Sequence, residues 1–486
     1  PKTAGIIRSM TGSIFLLNPP SLPGSVANRE GSAGMGALGN VTNPFIYPPH
    51  LLATAGAALA AAGWRVAGLD AAAQGLDTDA TLERLPQAAD RAFLNRLRER
   101  QPLARVLAIG PALSYAQVDH VFSDLVDALL MGEPELALPA AAARLLAGEL
   151  IPGRALNPYT LAPEHYTPDG LLATLDALPM PAWELFHGRG HRYPFLSVLS
   201  SRGCPAGCRF CPYVAAQGAQ QRCQSPARSV EELLHTAQRH QVTHIMLRDP
   251  VFALERDRVL AICSELRRRQ QGVTWECESR PEHFDGRLLR ALHDAGCTTV
   301  KLGLESADPD LLVAIGRVAD EPAAAAYLAQ VAAVVQECHQ LGMSCRLFVM
   351  VGLPNETERS LERTAQFLRT LRPIRLHVKP FHWYPGIALP PTGENELSAQ
   401  IRRLHDAVRP LVLQRADGSR EDLVSNRLTG VITGLIGLPG PLSLGVAVPV
   451  VLFQAGSLGS LPPSLQPTSP FGVAGLGDIY LTPRVN

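Results

Sequence analysis

Between residues 193 and 390 the sequence repeats a short apolar stretch followed by a longer amphipathic one, and this repeat limits the folds open to the chain. The apolar stretches predict six strands, at 193–200, 243–247, 273–277, 298–304, 344–351 and 375–379. The intervening segments predict helices, at about 229–240, 255–270, 285–295, 322–341 and 357–371. Such alternation is typical of parallel strands joined by crossover helices. Six units instead of the eight of a closed barrel predict a partial (β/α)6 barrel that is open on one side.

The residues that follow the second to fifth predicted strands are polar, charged or glycine-bearing. They include Arg248 and Asp249, then Glu278 and Arg280, then Glu305 and Ser306, and finally Gly352. In parallel α/β barrels the carboxyl-terminal edge of the strands carries the active site. Each of these residues alone could equally be a surface ion pair or a helix cap. Their ordered recurrence predicts a site at that edge.

Three cysteines lie on the loop that leaves the first of these predicted strands. Cys204, Cys208 and Cys211 have C-x3-C-x2-C spacing, and the glycines and proline among them keep the loop from forming a helix. Three thiolates can bind a metal centre but leave one coordination position open, which is where chemistry occurs. The competing interpretation is a structural zinc site with Cys223 as the fourth ligand, although zinc sites usually contain two close cysteine pairs.

This loop, with an aromatic residue directly before the third cysteine, resembles the signature of the radical S-adenosylmethionine (SAM) enzymes. The resemblance implies a [4Fe–4S] cluster on Cys204, Cys208 and Cys211, with SAM bound to the remaining iron. It also implies SAM contacts, which fall on Asp249 for the amino group, on Glu278 and Arg280 for the ribose and carboxylate, and on Glu305, Ser306 and Gly352. The resemblance identifies no residue that takes part directly in catalysis.

The first 150 residues alternate strands and helices in another rhythm. Strands are predicted at 13–18, 65–70, 105–110 and 128–131, and helices at 50–62 and 79–101, which indicates a Rossmann-like, doubly wound domain. The glycines of residues 34–39 match G-x-G-x-x-G. However, that motif should leave a strand and open a helix directly, and these glycines do neither. A mobile loop is therefore preferred over a dinucleotide site as the interpretation of that segment.

This domain resembles the cobalamin-binding domain that precedes the barrel in one class of radical SAM enzymes. The resemblance places the cobalamin contacts at Asn18, Pro19, Tyr47 and Asp70, and it extends to the Gly-Glu-Pro-Glu run at 132–135. Two features depart from the family pattern. No Asp-x-His-x-x-Gly motif supplies a histidine below the cobalt, and a charged helical stretch at 79–101 replaces an expected strand and loop. The alternative is a domain that only packs against the barrel.

The expected domain plan is a cobalamin-binding domain at 1–150, a linker at 151–192, a barrel at 193–390, a helical segment at 391–425 and an atypical tail at 426–486. The tail is rich in glycine, proline and leucine, and its interpretations are a substrate-specific cap, a membrane-facing piece, or a gene-fusion or reading-frame artefact. The preferred interpretation is such an artefact or a poorly ordered tail. The N-terminal apolar run is too short for a signal peptide. The nine cysteines lack a disulfide framework, which fits the cytoplasm.

The function expected from the resemblance is a cobalamin-dependent methyltransferase that acts on an unactivated carbon of a natural-product, lipid or tetrapyrrole-like substrate. Alternatives are a radical SAM cyclase or rearrangement enzyme, an enzyme with a vestigial cobalamin domain, and a non-catalytic zinc-binding scaffold. The expected partners are a small-molecule or peptide substrate and an electron donor such as flavodoxin or ferredoxin. Lys plus Arg equals Asp plus Glu at 44 each, so bulk charge does not favour nucleic-acid binding.

Overall fold

The structure is a computed structural model. It describes residues 13–18, 25–27, 37–39, 47–74, 99, 105–109, 126–150, 155–188, 193–269, 272–371, 375–381, 387–390, 412–414 and 420–422. The predicted Pro19 contact, nearly all of the predicted helix at 79–101 and the whole tail at 426–486 lie outside these residues. The predicted helical segment at 391–425 is described only at 412–414 and 420–422, which form strands.

The strands of the described residues are numbered in chain order. They are β1 (Ser13–Asn18), β2 (Ser25–Ala27), β3 (Ala37–Gly39), β4 (Arg65–Asp70), β5 (Leu107–Ile109), β6 (Ala128–Leu130), β7 (Ala155–Leu156), β8 (Leu196–Val198), β9 (Ser201–Arg202), β10 (Arg222–Cys223), β11 (His244–Leu247), β12 (Thr274–Ser279), β13 (Cys297–Glu305), β14 (Ser344–Val351), β15 (Arg375–Pro380), β16 (Val412–Gln414) and β17 (Arg420–Asp422).

The α-helices of the same residues are α1 (His50–Ala61), α2 (Leu138–Leu146), α3 (Tyr213–Gln217), α4 (Pro226–His240), α5 (Arg256–Arg269), α6 (Gly286–Asp294), α7 (Pro309–Ala314), α8 (Glu321–Gln340) and α9 (Glu358–Thr370). Short 3-10 helices lie at Pro158–Thr160, Trp183–Leu185 and Pro281–His283.

One six-stranded parallel sheet, in the order β15-β14-β13-β12-β11-β8, forms the larger part of the molecule. Apart from the short β9–β10 hairpin, consecutive strands of this region are neighbours, and helices connect them, so the predicted partial barrel is confirmed. The α/β fold class is confirmed with it. Each crossover helix packs an apolar face on the sheet. The amino ends of α4, α6, α7, α8 and α9 are each capped by a side chain that accepts a hydrogen bond from a backbone N–H of the first turn. In chain order the capping residues are Ser225, Asp285, Asp308, Asp320 and Thr357.

The first domain contains two smaller parallel sheets. In one, β1 pairs with β4 in the register Asn18↔Asp70, and α1 connects the two strands. In the other, β5, β6 and β7 are adjacent. β7 belongs to this sheet although it lies in the stretch predicted as a linker, whose boundaries stay a prediction. Part of the glycine-rich segment at 34–39 forms β3, which pairs antiparallel with β2.

The first domain and the barrel share one continuous apolar core. Gly68 of β4 leaves room for Leu185 and Phe186, since a Cβ there would lie 2.9 Å from the Phe186 ring and 3.0 Å from Leu185. The Tyr193 hydroxyl, just before the barrel, donates to the buried carboxylate of Asp70. Leu185, Phe186 and Tyr193, which lie between the two domains in the chain, therefore pack against β4 and hold the first domain on the barrel.

No helix within the described residues is both long enough and apolar enough to cross a membrane.

Candidate active site

A short hairpin forms the base of the cysteine loop. β9 leads directly into Gly203 and Cys204, and β10 returns beside it with Arg222 opposite Arg202. Gly203 has φ +83°, and a Cβ on it would clash with the Gln220 carbonyl, so only glycine allows the chain to turn here. The amide of Cys204 donates to the Gly218 carbonyl at 3.1 Å. The backbone thus fixes where the first thiol begins.

Asp249, at the end of β11, holds the start of the same loop. Its Oδ1 accepts the Ser200 amide at 2.7 Å, and its Oδ2 accepts the hydroxyls of Ser200 and Ser201 at 2.6 and 2.7 Å. Arg258 of α5 donates to the carbonyl and hydroxyl of Ser200 at 2.9 and 2.8 Å. The predicted contact of Asp249 with a SAM amino group stays a prediction. In the structure this carboxylate fastens the cysteine loop to the barrel.

The three cysteines of the loop lie in one electrostatic environment. Burial raises the pKa of the Cys204 thiol, and it raises the pKa of the Cys211 thiol to about 12. The negative charge of a Cys208 thiolate acts in the same direction on both pKa values. Cys223 has different charged neighbours, which are Arg258, Glu255 and Asp249. Its surroundings separate Cys223 from the loop thiols and disfavour the four-cysteine zinc interpretation.

The described residues contain no group of three or more histidine, cysteine, aspartate or glutamate side chains arranged to hold a single metal ion. A single tetrahedral zinc ion needs its thiolates about 2.3 Å from one point. In a [4Fe–4S] cluster each cysteine instead binds a different iron. The spacing and the thiol chemistry of Cys204, Cys208 and Cys211 fit the cluster better than a lone ion.

Two arginines converge on Cys208, and sequence reasoning found only one of them. Arg280 Nη1 donates to the Cys208 sulfur at 3.2 Å and Arg317 Nη1 at 3.5 Å. Arg317 is buried, and its other nitrogens donate to the Tyr327 hydroxyl at 2.7 Å and to the Gly303 carbonyl at 2.8 Å. No local motif marks Arg317, because it follows a short helix that the strand–helix pattern did not predict. Donors of this kind compensate negative charge on a thiolate or on a cluster.

Arg280 is already engaged at each of its nitrogens. Besides the Cys208 contact, Nε donates to Glu282, and Nη2 donates to the Arg317 carbonyl at 2.8 Å. The predicted pairing of Arg280 with a SAM carboxylate would require these bonds to rearrange. In this geometry Arg280 instead links the end of β12 to the cysteine loop.

Other residues predicted to contact SAM lie along the same edge of the sheet. Glu278 forms an ion pair with Arg248 at 3.2 Å and is the more exposed partner. Glu305 adopts φ +63°, a left-handed conformation that a non-glycine residue rarely keeps without a surrounding constraint. Its carboxylate folds back over Gly303, where any Cβ would clash with it. Near Gly303 the Glu305 carboxylate and the Arg317 guanidinium lie together, whereas Glu278 pairs with Arg248.

Ser306 and Gly352 have local structural partners. The Ser306 hydroxyl accepts the Asp308 amide at 3.1 Å and lies 3.2 Å from the Thr364 hydroxyl. Gly352 has φ +83°, and its amide donates to Glu356 at 2.7 Å. These bonds shape the ends of β13 and β14. The SAM contacts assigned to Ser306 and Gly352 stay predictions.

Of the residues predicted to bind cobalamin, the structure describes Asn18, Tyr47 and Asp70, which lie where the first domain meets the barrel. Asn18 Nδ2 donates to Asp70 Oδ1 at 2.8 Å, while the buried Asn18 Oδ1 has no hydrogen-bond partner. Asp70 also accepts the Ala73 amide at 2.9 Å. Tyr47 lies with its ring 4.9 Å from the Arg248 guanidinium carbon. The orphaned oxygen of Asn18 and the ring of Tyr47 fit a ligand at this edge, whereas Asp70 mainly ties the two domains together.

A cavity of about 1160 Å³ adjoins the outer side of the cysteine loop. Its walls come from the loop residues 205–207, from Arg280 and Arg317, and from α6 and α8. Of the predicted SAM contacts only Arg280 lines it. The cavity therefore reaches the cysteine loop from the helical side, away from Glu278 and Glu305.

Comparison with known proteins agrees with this architecture. Residues 198–368 match the sequence model of the Radical SAM superfamily. An uncharacterized methyltransferase of Pyrococcus horikoshii is 27% identical over 51% of this chain and 53% of its own. The anaerobic magnesium-protoporphyrin IX monomethyl ester cyclase of Rubrivivax gelatinosus is 25% identical over 51% of this chain and 45% of its own. This chain thus spans about half the length of the curated relatives it matches.

Solved structures show a similar fold. The radical S-adenosylmethionine methyltransferase TsrM from Kitasatospora setae, with tryptophan and a SAM analogue bound, superposes with a TM-score of 0.54 at 17% identity. The match covers 72% of this chain and 73% of that one. The cobalamin-dependent radical enzyme OxsB, with aqua-cobalamin and SAM bound, gives a TM-score of 0.51 at 17% identity over 70% of this chain and 51% of its own. At this identity the likeness concerns the fold.

Proposed function

We propose that this chain, which carries a radical SAM domain, is a cobalamin-dependent radical SAM methyltransferase. The observation that carries the proposal is the position of Cys204, Cys208 and Cys211. They lie on the loop after the first strand of a six-stranded parallel partial barrel, with two arginines directed at Cys208. An open coordination position next to an active-site edge suits a cluster that binds a reacting cofactor.

The cofactors in this proposal are a [4Fe–4S] cluster held by the three cysteines, SAM at the remaining iron, and cobalamin in the first domain. When bound, the cluster and SAM supply one-electron reduction and radical chemistry, and cobalamin supplies methyl transfer. The residues of the chain bind and orient these groups and keep water from the site. The substrate we propose is a small molecule or peptide, of natural-product, lipid or tetrapyrrole-like type, and a flavodoxin or ferredoxin would supply the electron.

Each residue near the loop has a role that its contacts support. Arg280 and Arg317 donate to Cys208 and would offset the negative charge of a thiolate-bound cluster. Asp249 holds Ser200 and Ser201, so the loop keeps its shape before any cofactor binds. Glu278 and Glu305, at the carboxyl ends of β12 and β13, would accept hydrogen bonds from a SAM ribose or ammonium.

Asn18 and Tyr47 are the residues of the first domain that support cobalamin binding. Asn18 Oδ1 is a buried acceptor without a partner, so a donor from a bound group would satisfy it. The Tyr47 ring contacts Arg248, which forms an ion pair with Glu278 of β12, so a ligand against this ring would lie near the predicted SAM residues. TsrM and OxsB, which share this fold, have structures with cobalamin bound.

The test is anaerobic reconstitution with iron and sulfide, followed by metal analysis. We expect about four iron and four sulfide per chain, and loss of both in Cys208→Ala. The matched control is Cys223→Ala, which removes a half-buried thiol from the adjacent hairpin and should keep the full iron content. Protein that holds only zinc, or equal iron loss in the control, would contradict the proposal.

Methyl transfer and cobalamin binding have separate readouts. Protein incubated with cobalamin should show the absorption band of the bound vitamin, and incubation with methyl-labelled SAM should label a product. If added cobalamin leaves the spectrum of the protein unchanged, the methyltransferase proposal fails while the cluster proposal stands.

A radical SAM cyclase is the second candidate. One relative of comparable identity is named as an anaerobic cyclase of a magnesium porphyrin ester. The product mass separates the two, because methylation adds one CH₂ to the substrate, whereas oxidative ring formation does not.

A further inference from the structure

The first domain sends two buried carboxylates into the base of the cysteine loop. Glu133 and Glu135 follow Gly132, whose φ of +65° and close approach to the Gly170 carbonyl exclude a side chain at that position. The turn directs both carboxylates towards the barrel. Both glutamates are almost fully buried, at 4% and 0% exposure, so they are not available to a ligand at the domain surface.

The partners of these carboxylates are the two arginines of the hairpin below Cys204. Arg222 donates to both oxygens of Glu133, at 2.6 and 2.9 Å. Arg202 donates to Glu135 at 2.6 Å and lies 3.5 Å from Glu133. The two arginines are register partners, so each strand of the hairpin carries one. Two positive and two negative charges balance within a buried cluster.

Hydrogen bonds connect the two hairpin arginines to the start of the cysteine loop. Arg222 also donates to the Gln217 carbonyl at 2.7 Å, and the Gln217 side chain accepts the amide of Gly203 at 3.2 Å. Arg202 immediately precedes Gly203 and Cys204 in the chain. Loss of the carboxylates would leave two guanidinium groups buried without their charged partners and would weaken the support of both strands beneath the first cysteine.

We propose that Glu133 and Glu135 are positioning residues for the cysteine loop, so that the first domain holds the cluster-binding cysteines in place. The loop is then supported from two sides, by Asp249 of the barrel and by these glutamates of the first domain. Burial alone would raise the pKa of Glu133, but the charge of Arg202 and the hydrogen bond from Arg222 lower it below 4.5. Glu133 thus stays charged at neutral pH.

The control comes from another buried glutamate at the boundary between the domains. Glu232 of α4 lies 3.6 Å from His50 of the first domain and 3.1 Å from Arg228. Its Oε2 also accepts a hydrogen bond from Gln224 Nε2 at 2.9 Å, one residue beyond β10. The ion-pair partners of Arg202 and Arg222, however, are Glu133 and Glu135. Glu232→Gln therefore removes a buried carboxylate at the domain boundary and leaves the ion pairs of both hairpin arginines in place.

The first test uses the iron-free full chain and measures thiol alkylation by peptide mass spectrometry. We expect Glu133→Gln and Glu135→Gln to speed alkylation of Cys204 and Cys208 by at least about tenfold, because the loop opens locally. Cys338, a buried residue of α8, serves as the internal reference for global unfolding. Unchanged rates at Cys204 and Cys208, or the same acceleration in Glu232→Gln, would overturn the proposal.

The second test rests on the proposed function, because it uses the cluster. The glutamine variants should bind less iron per chain than Glu232→Gln and should give a broader spectrum from the reduced cluster. If wild-type protein binds no iron, the proposed cluster fails, and the alkylation result still decides the role of the glutamates. If wild-type and variants bind equal iron and alkylate at equal rates, only the positioning role fails.

Discussion

Replacing Asp249 with asparagine tests whether this residue stabilises the cysteine loop or serves only to bind SAM. Its carboxylate accepts three hydrogen bonds from Ser200 and Ser201. A hydrogen bond to a charged group contributes about 1.5–3 kcal/mol and a neutral one about 0.5–1.5 kcal/mol. The side chain of asparagine keeps the oxygen that accepts the Ser200 amide. In place of the other oxygen it has an NH₂ group, a donor that faces the hydroxyls of Ser200 and Ser201. We therefore expect Asp249→Asn to lower the free energy of unfolding by about 2–4 kcal/mol.

The assay is urea unfolding of iron-free protein, with and without SAM. For a slope of about 3 kcal/mol per molar, the expected loss moves the urea midpoint down by about 1 M. The control is Asp257→Asn, an exposed aspartate in the first turn of α5, which should change the free energy by less than about 1 kcal/mol. If Asp249→Asn unfolds like the wild type without SAM and differs only in SAM binding, the residue is a ligand and our assignment is refuted.

Three further changes probe the barrel and the domain boundary. Lys301 is fully buried, with its Nζ 2.6 Å from Glu276. Lys301→Met should therefore lower the free energy of unfolding, measured in urea, by about 3–5 kcal/mol. The double variant with Glu276→Gln should recover part of that loss, because it also removes the unpaired buried carboxylate. Gly303→Ala places a methyl group against the Glu305 carboxylate, and should lower both the iron content and the melting temperature; unchanged iron would argue against this packing. The folded-state pKa of Glu133 is lowered below 4.5, so its contribution to stability is present above that pH and is lost as pH falls through the folded-state pKa. The difference in unfolding free energy between wild type and Glu133→Gln should therefore be constant from pH 7 to about 5 and shrink in more acidic solution.

The strands of the barrel could be predicted because apolar runs and their polar ends recur with a regular spacing. The strand predicted at 344–351 and those at 13–18 and 65–70 match the structure at both ends. Glu278 was predicted to follow its strand but lies within β12, because a strand buried by its neighbours can continue through polar residues. Short elements such as β9 and β10 left no periodic signal.

The candidate site was only partly predictable, for a related reason. The cysteines share one loop, so their spacing is visible in the sequence. Arg317 reaches Cys208 across 109 positions, and Arg222 reaches Glu133 across 89, and such contacts depend on how the sheet and the domains are assembled. The run at 132–135 resembles part of a cobalamin-binding domain, but the sequence did not indicate that Glu133 and Glu135 form buried ion pairs with Arg222 and Arg202.

The most direct measurement for the central claim is electron paramagnetic resonance of the reduced, reconstituted protein before and after SAM is added. Three cysteines leave one iron of a [4Fe–4S] cluster open, so SAM should bind there and change the g values of the cluster signal. We predict a spin-active cluster in the wild type whose spectrum shifts with SAM, and no such signal in Cys208→Ala. A wild-type cluster whose spectrum is unchanged by saturating SAM, or the absence of any cluster signal, would contradict the account.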